Sequence, residues 1–246
     1  MQGIKIIFMR IIYALLFMCS VAVSAQNSYE NGVKHFKREN LTAALLDFKN
    51  ISIGENKYWK AQEYIGDVYA KQENWDESVE VYENLVETFP QDANFNFKYG
   101  GALGMKALTL SKMEAAFYIS DIKYYLKKAA QLDENHIEAR WALAKLYMQL
   151  PGILGGNTST AYKYTDELLQ ISPVDGWLAK GYVASEDKDF QVAEKYYKNA
   201  LTVGGSITCY QELIHFYENK INKKEQAQQL RKEAKEKHPA HNWTNI

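Results

Sequence analysis

The chain has 246 residues, 47% of them hydrophobic and 24% charged, with a formal net charge of −1. That balance excludes a disordered or collagen-like chain, and it speaks against a nucleic-acid binder, which would carry a basic excess. Two Cys cannot build a disulfide scaffold, while 18 Tyr against 4 Pro point to long helices packed through aromatic rings.

The N-terminal stretch reads as an address. Lys5 and Arg10 lead into an apolar run, Ile11 to Val23, and no acid occurs before Glu30. Val23-Ser24-Ala25 then supplies the small residues that signal peptidase accepts, so residues 1–25 read as a secretory signal peptide cut after Ala25. The apolar run is shorter than the roughly 20 residues of a membrane span. Cys19 follows Phe17 and Met18, which are bulky where a lipobox has small residues, so lipid anchoring at Cys19 is not expected. The mature chain would be exported, periplasmic or secreted, without a membrane span. It would carry a net charge of −3 and a single thiol, Cys209. Asn40, Asn50, Asn157 and Asn242 each open an Asn-X-Ser/Thr triplet, which the short, bacterial-looking leader makes a chance match.

An internal period follows. Gly32, Gly66 and Gly100 are spaced by 34 residues, as are Ala44 and Ser78, and Phe48 and Tyr82. Ile65, Gly66 and Tyr69 fall on one helical face, and Val79, Tyr82 and Val86 repeat at helical spacing after the short polar turn Gln72-Glu73-Asn74. A mid-helix Gly costs about 1 kcal/mol against Ala, so glycines in register imply close helix approach. Units of this kind run over residues 26–58, 59–92, 93–136, 137–173, 174–206 and 207–239, with 241–246 left as a C-terminal tail. The third is about ten residues too long, and Ala107 to Ser120 fills the excess by lengthening both helices. The fourth carries the extra loop Pro151 to Gly156, with its second helix expected from Ala161 to Ile171. In the fifth, Gly204-Gly205 replace a closing Pro.

The order Ile65-Gly66, Tyr69, Trp75, Ser78, Tyr82, Pro90 resembles the tetratricopeptide repeat (TPR). The resemblance implies an all-α fold, a right-handed α-solenoid of stacked antiparallel helix pairs over 26–240. It implies a protein-interaction scaffold, here in the cell envelope, that holds a protein or peptide on the concave face lined by first helices. In the family, partner contacts come from the second, fifth, ninth and twelfth positions of those helices. They map here to Glu63 and Asp67 in the second unit, and to Phe97, Trp141, Lys145 and Tyr182 as a candidate groove of adjacent steps. Aromatic residues there offer large contact area at low entropy cost. The Lys/Asn/Arg clamp with which some relatives hold chaperone tails is absent, because Glu63, Asp67, Phe97, Gly101, Trp141 and Lys145 fill the matching positions. The alternative reading is a small-ligand or transport-accessory solenoid that uses the long third unit and the Gly-rich loop.

Chemistry-bearing motifs are sparse. The five His form no metal-ligand spacing, and Cys209 has no sequence-local His or Asp, so neither an enzyme nor a metal or other cofactor is expected. The Pro151–Asn157 stretch lacks the Gly-Lys-Ser/Thr ending of a phosphate loop. Gly155, Gly156 and Asn157 stand as a candidate loop contact, with Thr158, Ser159 or Thr160 as the cap of the next helix. Charge is uneven: residues 55–92 carry ten acids against Lys57, Lys60 and Lys71, and residues 220–237 carry seven Lys/Arg against three Glu.

Overall fold

A computed structural model describes residues 28–243, and among them there is no strand. The leader reading, with Cys19 and the cut after Ala25, lies outside the described residues, as does the end of the tail. The described chain divides into two compact units, the first ending at Tyr118 and the second starting at Ile119.

The first unit holds α1 (28–37), α2 (Leu41–Lys49), α3 (Tyr58–Lys71), α4 (Trp75–Thr88), α5 (Ala93–Thr109) and the start of α6 (Lys112–Leu132). Its helices pair through a repeated wedge in which the first helix gives a glycine and the second an aromatic ring. A Cβ on Gly32 would lie 2.6 Å from the Phe48 ring, and one on Gly66 would lie 2.6 Å from the Tyr82 ring. Buried Ser78 adds a second tie, its Oγ donating to the Gly66 carbonyl at 3.2 Å. Phe48 in turn stacks on Tyr64 of the next pair, with ring centroids 4.8 Å apart. Burying such rings and the aliphatic residues Ile51, Ile65 and Val68 between helices stabilises by about 1.5–3 kcal/mol per side chain.

Helices α5 and α6 run for 17 and 21 residues and are separated only by Leu110 and Ser111. Asp92 caps α5 by accepting from the Phe95 N–H, and Ser111 with Glu114 forms a capping box at the start of α6. The extension leaves Leu108, Met113 and Phe117 largely in solvent, with Phe117 80% exposed.

The second unit continues from α6 through α7 (Ile137–Gln149), a 3₁₀ turn (Gly152–Leu154), α8 (Thr158–Ile171), α9 (Pro173–Glu186), α10 (Phe190–Gly204), α11 (Ile207–His215) and α12 (Lys224–Lys237). A π-helical turn, Phe216–Lys220, prolongs α11. The wedge recurs here, with a Cβ on Gly181 falling 2.7 Å from the Tyr197 ring. Arg140 is buried and pins three helices: Nε donates to Glu167 at 3.0 Å, while the guanidinium also donates to the Ala130, Asp133 and His136 carbonyls. The C-terminal segment is packed rather than loose. Trp243 is buried in the core of this unit, its indole N–H donates to the His238 carbonyl at 3.1 Å, and its ring meets His241 edge-on at 4.7 Å.

Candidate functional site

Helices α7 and α9, each the first of its pair, place three of the four groove residues together. Trp141 and Lys145 share a face of α7 at i, i+4 spacing, and Tyr182 comes from α9. The Lys145 ammonium lies 5.3 Å from the Trp141 ring centroid and 5.8 Å from that of Tyr182, so both rings hold it by cation–π attraction. Phe97 is half-buried on α5 of the first unit.

The Trp141 ring is fixed. Its indole N–H donates to Asp175 Oδ1 at 3.1 Å, and the other Asp175 oxygen accepts from the Ser172 hydroxyl at 2.5 Å. Ser172 is the N-cap of α9 and Asp175 sits in its first turn, where the helix dipole favours a negative charge. Tyr182 is held from the opposite side, its hydroxyl accepting from Gln149 Nε2 at 3.4 Å, and burial pushes its phenol pKa up. Beyond it, Lys220 pairs with Glu186 at 2.9 Å.

The corresponding face of the first unit is electrostatically closed. Lys98 reaches Glu63 and Asp67, each at 2.7 Å, while Asn94 donates to Glu63 and the Tyr82 hydroxyl donates to Asp67. Burial alone would raise the Glu63 pKa, but the Lys98 and Asn94 hydrogen bonds outweigh it and hold the carboxyl below its ordinary value. The two acids thus share one ammonium and are tied into the fold, with one negative charge left over. Lys98 follows Asp67 by 31 residues, and no local motif marks the pair.

Solved structures supply the comparison. A thermophilic TPR protein of Thermus thermophilus, TTC0263, matches with a TM-score of 0.61 at 16% identity, over 75% of this chain and 93% of its own. A tetratricopeptide-repeat protein of Parabacteroides merdae ATCC 43184 matches with a TM-score of 0.60 at 12% identity, over 85% of this chain and 78% of its own. The fold is the tetratricopeptide-repeat fold. YrrB, described as a TPR protein with an unusual peptide-binding site, is a more distant likeness, with a TM-score of 0.50 and 16% identity over 74% of this chain and 87% of its own. No family model and no curated protein matches the sequence.

Within this TPR fold the glycine-rich insertion is occupied by structural duties. Gly155 adopts φ +81°, which favours glycine, and a Cβ on Gly156 would lie 1.7 Å from the Leu150 carbonyl oxygen. Asn157 accepts from the Thr160 N–H at 2.7 Å and so caps α8, which starts at Thr158 rather than Ala161; the cap is Asn157 and not one of the three hydroxyl residues after it. Lys123 donates to the Leu154 carbonyl at 2.8 Å and ties the loop to α6. Ile153 at its tip is 93% exposed. Among the described residues no group of three His, Cys, Asp or Glu is placed to hold a metal ion, and no helix is long and apolar enough to cross a membrane. Cys209 is buried, with its thiol against the Ala200 carbonyl.

Proposed function

We propose that this protein is an interaction scaffold of the cell envelope that holds a protein or peptide partner on the first-helix face of its second unit, at Trp141, Lys145 and Tyr182. The observation that carries the reading is the pre-set geometry of that cluster. Asp175, backed by Ser172, holds the Trp141 ring and Gln149 holds Tyr182, while the exposed Lys145 lies against both rings. Rigid aromatic anchors with small ordering cost are what hot spots of protein interfaces use. Export is supported by the charged, apolar and small-residue pattern of residues 1–25. The TPR fold agrees with the scaffold role, and the peptide-binding site named for YrrB is a parallel in that fold.

A quantitative pull-down from the envelope fraction tests the reading, comparing the unaltered chain with the Trp141→Ala/Tyr182→Ala double variant. Loss of a specific protein band with the variant still folded is the expected outcome. Equal recovery by both chains contradicts it.

A further inference from the structure

The charges around the cluster are unequally satisfied. Asp175 has one oxygen taken by the Trp141 indole and the other by Ser172. Glu186 is paired with Lys220, and Glu138 lies 3.2 Å from the His136 ring. Lys145, by contrast, is paired with no carboxylate among the described residues. A useful contrast stands on α9. Lys180 also lies against two rings, those of Tyr162 and Tyr196, at 5.8 and 5.6 Å, but its ammonium is neutralised by Asp166 at 2.5 Å.

Ring faces attract a cation but leave its charge in place, and the exposed Lys145 ammonium beside the two rings stays open to a partner. Such a group gains from one close anion, and it repels a second cation. The ammonium is a compact point charge and not a fork, so it suits a single carboxylate. The flanking Trp141 and Tyr182 rings offer amphipathic surface to whatever lies on each side of that carboxylate.

We infer that Lys145 is a pre-set anchor for one acidic side chain of the partner, an Asp or Glu flanked by apolar residues in a peptide segment laid across α7 and α9. This rests on the reading that the Trp141–Tyr182 face takes a partner. It adds the chemistry of that partner. Specificity comes from the placement of one acid between apolar neighbours, and a basic segment is rejected by Lys145 itself.

The test is selection from a random peptide library displayed with its carboxyl ends fused, so that only side chains supply carboxylates, against the full chain. Selected peptides are then synthesised with amidated ends and titrated against the unaltered chain, Lys145→Met and Trp141→Ala/Tyr182→Ala, each checked for folding by circular dichroism. The expected result is a shared Asp or Glu beside apolar residues, with affinity falling about tenfold or more in Lys145→Met. Replacing the shared acid by its amide should cost the same on the unaltered chain and nothing further on Lys145→Met. Peptides without a shared acid, or enriched in Lys or Arg, or bound equally by Lys145→Met, overturn the inference while the face stands if they still need the two rings. Peptides that bind the double ring variant unchanged, or a library that yields none dependent on this face, overturn the reading of the face as well.

Discussion

Gly66 packs so tightly under Tyr82 that a Cβ on the glycine would stand 2.6 Å from Cε1 of the ring. The ring has little freedom to move away, because its hydroxyl donates to Asp67 and it is almost wholly buried. The same contact joins Gly32 to Phe48 and Gly181 to Tyr197, always sixteen residues apart. This spacing sets how closely the two helices of a pair approach, and so how each first helix presents its outer face.

Gly66→Ala therefore gains the helix propensity of Ala, about 1 kcal/mol, but meets an overpacking cost of about 1–3 kcal/mol. A net loss of up to about 2 kcal/mol in chemical denaturation is expected, and a larger one for Gly66→Val. Gly101 is the control, since nothing lies within 4 Å of its added Cβ. Gly101→Ala should raise stability by up to about 1 kcal/mol.

Much of this was legible in the sequence, because the wedge is a local, periodic device: glycine and ring recur in phase wherever the pairs are regular. The positions of Trp141, Lys145 and Tyr182 followed from the same register. What was not legible depends on contacts between distant segments. Lys98 bridges Glu63 and Asp67 across consecutive pairs, Arg140 gathers three carbonyls and Glu167, and Trp243 folds back onto Tyr210 from the end of the described chain. The turns also hide a regularity. Glu39 and Glu73 in one unit, and Lys188 and Asn222 in the other, have positive φ and are spaced by 34 residues, although none is the glycine that would announce such a position.

That last feature gives its own test. Lys188 has φ +66°, a left-handed conformation that glycine adopts without the penalty of a side chain. Lys188→Gly should raise thermal stability modestly, by up to about 1 kcal/mol, whereas Lys188→Val should lower it.

Acid should weaken the second unit through Glu194. Burial alone would raise its pKa, but hydrogen bonds from Lys198, Lys223 and Tyr217 outweigh it and hold the carboxyl at about 2, against an ordinary 4.5. A depressed carboxyl contributes stability that is fully present above its unfolded pKa and is lost as the pH falls through its folded value. The melting temperature should drop between pH 4.5 and about 2. Glu194→Gln should melt lower at neutral pH and show a shallower fall over that window. Parallel curves for the two proteins would remove Glu194 as the cause.

Trp243 should behave as core and not as tail. It is 3% exposed and packs on Tyr210. Trp243→Ala is expected to cost about 3 kcal/mol in urea denaturation, the range of buried Trp truncations. A loss under about 0.5 kcal/mol, typical of surface substitutions, would contradict the packed arrangement.

Site-specific photo-crosslinking in intact cells reads directly where a partner lies. A photoreactive residue placed at Glu138 or Gln149, both exposed on α7 beside the Trp141–Lys145–Tyr182 cluster, is predicted to give a discrete adduct with a second protein. The same residue at Lys163, exposed on α8, is predicted to give none. Adducts from Lys163 with none from Glu138 or Gln149 would contradict the claim that the first-helix face of the second unit is the binding surface.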